Sequence, residues 1–432
     1  MLYAIGLLGA IFAIALSIVL HELGHFIPAR LFGVKVSQFM VGFGPTLYSR
    51  RGKKTNIEVG VKAIPFGGYI RMIGMIPPPP IEDKDKKRNF WQKIIKDSRD
   101  ASWREGDPTR KENTFYALPA WKKVIIMMGG PFMNLVICVC LLSIIYVGIG
   151  IPKTSNIVAD TSACIPITSV QDEPKTAIDY SHKVCSPGVH LAPSIVAGLR
   201  MNDKILSING ILTPTWIKTS DTIHNLPDQL TTFVIERDGK PLTTPVQLSH
   251  TYTVNGVKWG YLGVVAGEGN VSQPWSVLPL VLKSMTVGSV QRLFNLPVGV
   301  YKATQATLTG KARPVDSPVS VVGISRISGQ IAALPKESNV SKIRSLLNLI
   351  AGVNLFLFLF NLLPILPLDG GHVAGAIWES IRRRISLLRK KMDPGPVDVS
   401  KMAPVAFVFG MALILVSLVI TFSDIFNPIH LT

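Results

Sequence analysis

The stretch Ser17-Ile18-Val19-Leu20-His21-Glu22-Leu23-Gly24-His25 closes an uncharged apolar run that begins at Met1. Residues four apart in a helix project from one face, so His21 and His25 can reach one Zn²⁺, with Glu22 between them placed to deprotonate a metal-activated water. The spacing points to a metallohydrolase, and the apolar run before it points to a membrane. Ionisable groups at the end of a spanning helix cost roughly 2.5–3.5 kcal/mol each on insertion scales, so three clustered there require a compensating partner such as a metal.

Composition agrees with that setting. The chain has 432 residues, 47% hydrophobic and only 17% charged, which shifts the expectation from soluble domains toward a membrane protein. A net charge of +18 invites a nucleic-acid reading. The Lys and Arg instead cluster beside apolar spans and no stacking aromatics are interleaved with them, so the charge is read as membrane topology and anionic-lipid contact, with no nucleic-acid partner. Met1 to Leu20 lacks a basic leader, is too long for a signal-peptide core, and its cleavage would detach the metal motif. It is therefore expected to stay as the first span.

That span is expected from Leu2 to Ile27, with Pro28 kinking or stopping the helix because it cannot donate to the carbonyl of Gly24. Arg30 and Lys35 follow and mark this end as cytoplasmic, which places the N-terminus outside. From Val34 to Met75 the pattern becomes that of strands, Val34 to Val41 and Asn56 to Ile64, with turn signals at Gly42-Phe43-Gly44-Pro45 and Arg50 to Lys54, and Pro65-Phe66-Gly67-Gly68-Tyr69 as the close. A sheet so apolar is expected in the membrane interface beside the site, where an edge strand can pair with an extended substrate; an ordinary small cytoplasmic sheet is the alternative. Pro77 to Pro80 is a stiff linker, and Ile81 to Thr114 is polar without sustained periodicity, expected to be a flexible cytoplasmic insertion.

Ala120-Trp121-Lys122-Lys123 opens a second span, Val124 to Ile151, directed outward. Its Gly129-Gly130-Pro131-Phe132-Met133-Asn134 cluster is expected to pack against the first helix or the site, since Pro and Asn in lipid need partners; packing alone is an equal alternative. Cys138 and Cys140 within it read as small hydrophobes, whereas Cys164 and Cys185 can form a disulfide if their region is extracytosolic. In the hydrophilic region that follows, Ser194 to Gly210 resembles the central signature of PDZ domains, with Asn202 at a turn position that Asn tolerates, and Asp238-Gly239 reads as a hairpin turn. Gln273 to Arg344 mixes amphipathic stretches with a Pro-containing loop and is expected to rest on the outer membrane surface.

A third span, Leu346 to Leu368, runs inward and ends in Asn361-Leu362-Leu363-Pro364-Ile365-Leu366-Pro367-Leu368-Asp369-Gly370-Gly371-His372. A basic loop with Arg382-Arg383-Arg384 and Arg389-Lys390-Lys391 follows, and a fourth span, Val405 to Phe422, returns outside. Two inward spans of about 20 apolar residues, about 30 Å of helix each, bring His21 and Asp369 to similar depth. His21, His25 and Asp369 then make three ligands with a fourth position left for water, as a catalytic zinc site requires. On position alone Asp369 reads as an interfacial helix-end charge; the two unpartnered His, and the Pro and Gly around Asp369, favour the ligand. His372 is a lesser ligand candidate.

Together the His21 to His25 motif, Pro65 to Tyr69, Gly130 to Asn134, the single PDZ-like region and Asn361 to Gly371 resemble the site-2 protease family of intramembrane zinc metalloproteases, most of all the single-PDZ regulators of sigma-factor signalling in actinobacteria. The resemblance leaves out Ile81 to Thr114. It implies Zn²⁺ held by His21, His25 and Asp369, Glu22 as catalytic base, and Asn361, Gly67 and Gly68 near the substrate. It further implies regulated intramembrane proteolysis of single-span membrane proteins of the anti-sigma-factor type, cut first on the outside. The alternatives are processing of signal-peptide remnants or peptide signals, and a non-catalytic PDZ membrane scaffold with a structural metal.

The expected architecture is thus a multi-pass α-helical membrane protein with about four transmembrane helices, a membrane-associated β-sheet and one extracytosolic PDZ-like α+β domain. In order these are the first helix with HExxH (1–33), the sheet region (34–76), the cytoplasmic insertion (77–119), the second helix (120–151), the PDZ-like domain (155–270), an amphipathic linker region (271–344), the third helix with Leu368-Asp369-Gly370 (345–378), the basic loop (379–401) and the fourth helix with the C-terminus (402–432). Both termini are expected outside, with the active site toward the cytoplasmic leaflet of the cell membrane.

Overall fold

The computed structural model describes residues 1–78, 89–103, 112–165, 190–252, 257–335 and 337–430. These fall into two compact units, one formed by Met1–Val147 with Pro274–Thr432 and the other by Gly148–Gln273.

The first unit begins with helix α1 (Leu2–Leu31). Its apolar residues surround the whole helix, as suits a segment whose solvent is lipid. Of the two outcomes expected at Pro28, a kink or a stop, the stop does not occur: the helix runs through Pro28 to Leu31. Pro28 leaves the Gly24 carbonyl without its helical donor, and that carbonyl lies against Gly129 of α3 (Ala120–Ser143). A Cβ on Gly24 or Gly129 would run into the other's backbone carbonyl, so the two glycines set how closely α1 and α3 cross. Helix α3 continues through a π-helical turn to Ile149.

Between these helices lie two long antiparallel strands, β1 (Val36–Arg51) and β2 (Glu58–Met72). Gly42 to Pro45, expected as a turn, is instead a bend inside β1, where Gly42 and Gly44 have positive φ and the register slips. Gln38 is paired with both Arg71 and Glu58, so the first half of β1 lies between two stretches of β2. The polar insertion contains helix α2 (Phe90–Trp103), which its charged residues hid from the sequence reading. Trp103 packs on Ile73 and Tyr116 and donates to the Ile76 carbonyl, while Arg99 pairs with Asp398 at 2.7 Å. Residues 79–88, with Pro79 and Pro80, and 104–111 lie outside the described residues.

Helices α6 (Leu278–Phe294), α7 (Leu296–Thr309) and α8 (Val321–Ala333) fill the stretch expected to rest on the outer surface. They pack into the bundle: α6 joins the apolar cluster around Cys138, Leu142 and Leu355, and Gly6 of α1 lies against Ser328 of α8. Helix α9 (Asn339–Asn361) ends seven residues before Leu368, and α10 (Asp369–Leu388) starts after that break. Helix α11 (Ala403–Phe426) closes the unit. Its buried Asp424 pairs with Arg313 at 2.6 Å, and the same carboxylate accepts from the Ser320 N–H. Among the described residues four helical stretches, Leu2–Leu31, Ala120–Ile149, Asn339–Asn361 and Val399–Phe426, are long and apolar enough to cross a membrane, and with the sheets they fit a membrane protein.

The second unit is a mixed α/β body. Strands β3 (Ile151–Thr161), β4 (Lys204–Ile208), β5 (Ile211–Leu212), β6 (Leu230–Arg237), β7 (Lys240–Gln247), β8 (Ser249–Tyr252), β9 (Lys258–Tyr261) and β10 (Val264–Val271) accompany short helices α4 (Pro193–Val196) and α5 (Trp216–His224). The main sheet runs β10-β3-β4-β6-β7, and β5 pairs with β4. Its core centres on Ile205, Ile208, Phe233 and Ile235, all fully buried. The Asp238-Gly239 turn joins β6 to β7 with both residues at positive φ, and Asn202 adopts φ +71°. Among the cysteines, Cys138 is a buried free thiol, Cys140 an exposed one, and Cys164 is not a free thiol; Cys185 lies outside the described residues.

Candidate metal centre

Helix α1 presents His21 and His25 one turn apart, their rings edge to face with centroids 4.9 Å apart. Asp369 opens α10 after an irregular stretch, Leu362 to Leu368, interrupts the helix. Gly370 and Gly371 permit that fold-back, because a Cβ on either would strike the backbone of Leu362 or Leu366. The result brings three donor atoms into a near-equilateral triangle. His21 Nε2 lies 3.3 Å from His25 Nε2, and Asp369 Oδ2 is 3.4 Å and 3.3 Å from the two imidazoles. With zinc bonds of about 2.0–2.1 Å, tetrahedral geometry separates neighbouring donors by about 3.3 Å, so this set fits the ion. Among the described residues it is the one cluster of three such side chains that can hold a metal, and His372 does not join it.

The surrounding hydrogen bonds select the same chemistry. His25 Nδ1 lies 2.8 Å from the Ile126 carbonyl, which can only accept, so Nδ1 carries the proton and the Nε2 lone pair faces the triangle. Gly130 underlies that ring; a Cβ there would overlap the imidazole. Asn134 sets its amide nitrogen 3.2 Å from His21 Nδ1 and leaves Oδ1 buried without a partner. Half a turn of the amide brings Oδ1 to Nδ1–H, as a metal-binding Nε2 on His21 requires. The glycine-rich cluster of α3 therefore serves both readings, packing against α1 and supporting the site.

Glu22 is buried between α1 and the sheet. A Cβ on Gly68 would lie 3.0 Å from Glu22 Cγ and 3.1 Å from the Met40 carbonyl, so glycine eases the close approach of β2 to the Glu22 side chain. Gly67 beside it has φ +94°, a conformation that favours glycine. Asn361 is the half-buried last residue of α9. About two turns earlier on that helix, Asn354 is fully buried and donates to Ser17 Oγ at 3.1 Å, tying α9 to α1 one turn before His21.

One support escaped the sequence reading. Lys123, read as an interfacial anchor, is buried and bonds both oxygens of buried Glu379 at 2.8 and 3.1 Å. The Val397 N–H donates to the same carboxylate at 3.2 Å. The pair fastens α3, which carries Gly130 and Asn134, to α10, which carries Asp369. Glu379 shares the helical face of His372 and Ala376, a signal that was present in the sequence but swamped by the neighbouring arginines.

Comparison with known proteins agrees with this geometry. The model of "Peptidase family M50" matches residues 9–392. "Zinc metalloprotease Rip1" of Mycobacterium tuberculosis is 30% identical over the full length of both chains, and its namesake in Mycolicibacterium smegmatis 27% over the same span. "Metalloprotease MmpA" of Caulobacter vibrioides is 26% identical over 88% of each chain. A donor triangle of zinc dimensions on apolar helices, together with a family match across nearly the whole sequence, leads to one conclusion: the chain belongs to peptidase family M50 and is a zinc metalloprotease of the site-2 type.

Proposed function

We propose that His21, His25 and Asp369 hold the zinc, that Glu22 is the general base, and that the protein cleaves single-span membrane proteins of the anti-sigma-factor type after a first extracytosolic cut. The observation that carries the residue assignment is the donor triangle with sides of 3.3–3.4 Å beside a buried glutamate. Zinc bound there supplies Lewis acidity toward the scissile carbonyl and lowers the pKa of water. Glu22 accepts a proton from the attacking water as the new C–O bond forms, and returns it to the amide nitrogen as the C–N bond breaks. Asn134 and the Ile126 carbonyl hold the two imidazoles in register throughout.

The substrate's unwound segment adds as an extended strand along β2 at Gly67 and Gly68, next to Glu22, and Asn361 lies along the same path. The close approach of Gly68 to Glu22 supports this reading, because a strand laid on that edge delivers its carbonyls to the base. By the positive-inside rule the N- and C-termini lie outside and the site faces the cytoplasmic leaflet. The Gly148–Gln273 unit, PDZ-like in its signature, excludes substrates that retain a bulky external domain.

The test is Glu22→Gln. The variant keeps zinc, measured by metal analysis of the purified protein, and loses cleavage of a single-span reporter. Undiminished cleavage overturns the role of Glu22. Mass spectrometry of membranes carrying the variant then identifies the single-span proteins that accumulate half-processed.

A further inference from the structure

Helix α10 has two faces. The inner one carries Asp369, Ala376 and Glu379 toward α3. The outer one presents Ile377, Trp378, Ile381, Ile385 and Leu388 at helical spacing. None of these is covered: Trp378 is 56% and Leu388 84% exposed. The C-terminal end of the stripe is basic. Arg384, Arg389, Lys390 and Lys391 are exposed and take part in no described ion pair, unlike Arg383, which binds Glu379 and Asp393. A protein partner is not needed to explain such a face, because α10 is tethered at both ends to membrane spans, α9 ending at Asn361 and the fourth span beginning at Val399.

We infer that α10 lies in the headgroup region of the membrane with this stripe among the acyl chains, and that Arg384, Arg389, Lys390 and Lys391 bind anionic phospholipid, so that the leaflet's composition steadies the helix that carries Asp369. Charge complementarity decides the occupant: a cationic fringe beside an apolar stripe fits an anionic lipid surface, whereas a zwitterionic one satisfies only the stripe. A cation near an anionic surface is worth about 1 kcal/mol, which is roughly a fivefold change in docked population for each charge. The inference rests on the membrane placement of the spans and is independent of the substrate.

The full-length protein is reconstituted in phosphatidylcholine vesicles with and without phosphatidylglycerol, some carrying brominated acyl chains. The Trp378 signal is taken as the difference between wild type and Trp378→Phe. Bromolipid quenching of that signal is expected to rise several-fold with phosphatidylglycerol and to fall as salt is added. In R384Q/R389Q/K390Q/K391Q the phosphatidylglycerol dependence is expected to vanish while quenching in phosphatidylcholine is retained. Chelator-competition titration is expected to show weaker zinc retention for wild type in phosphatidylcholine alone. An unquenched Trp378, or a quadruple variant that keeps the full lipid dependence, overturns the inference. Neither readout needs proteolysis, so loss of the protease assignment would leave this result standing.

Discussion

At the scale of single residues, the site depends on side chains that position others. Asn134 is such a residue: it touches His21 through Nδ1 and, with zinc on Nε2 as proposed, fixes which imidazole nitrogen carries the proton. Replacing such a partner typically costs 10–100-fold in metal affinity. Asn134→Ala is therefore expected to lower zinc affinity by about that range in a chelator competition, with the fold retained. Equal affinity in variant and wild type would remove Asn134 from the site. The glycines act by absence: Gly130 makes room for the His25 ring and Gly68 for the Glu22 side chain. In the sequence these positions read only as a glycine-rich cluster and a strand close, because what a missing Cβ makes room for comes from a distant segment.

At the scale of elements, α3 and α10 are joined across 256 residues of sequence by Lys123 and Glu379. Removing one partner of a buried pair costs about 3–5 kcal/mol when the other charge is left alone; Arg383, 3.3 Å from Glu379, and the Val397 N–H offset part of that here, and replacing both partners with apolar residues is often neutral or stabilising. Lys123→Met is expected to lower the midpoint of thermal unfolding in detergent, and Lys123→Met with Glu379→Leu to recover most of it. A single variant as stable as wild type would show that Arg383 and the Val397 N–H suffice to hold the Glu379 carboxylate. Spans and hairpin turns were legible here, since apolar length and Asp-Gly turns are local signals. Helix α2 was not, because Lys93, Lys96, Arg99 and their neighbours interrupt its stripe and its order comes from Trp103 and Arg99 meeting other segments. The bend in β1 was taken for a turn because Gly and Pro punctuate both.

At the scale of the whole molecule, the two units answer to different tests. In Gly148–Gln273, burial alone would raise the Asp203 pKa, but two bonds from Arg237 and the Arg200 N–H outweigh it and hold the carboxyl below its ordinary value. A depressed carboxyl contributes stability that is fully present above the unfolded value, about 3.9, and is lost as pH falls through the folded one. Protection of the β4 and β6 amides against hydrogen exchange, taken relative to the intrinsic rate at each pH, is expected to be high at neutral pH and to fall in acid. In Arg237→Gln, protection is expected to drop at neutral pH as well; an unchanged profile would deny the pair this role. The proposed filter makes a separate claim: deleting residues 148–273 and bridging the gap is expected to permit cleavage of an untrimmed substrate, and continued exclusion would count against it.

The sequence by itself determined the membrane class, the paired histidines with their glutamate, and the acidic residue that could complete them, because these rest on local spacing, apolar length and charge placement. The tertiary structure alone decided that His21, His25 and Asp369 close to within 3.4 Å, that His372 stays out, that Asn134 supports His21, and that Lys123 meets Glu379. Those outcomes depend on how closely α1, α3 and α10 approach, which is set by glycines facing carbonyls and imidazoles from remote parts of the chain. Side-chain periodicity reports which face a residue occupies; only packing chooses the neighbour on that face.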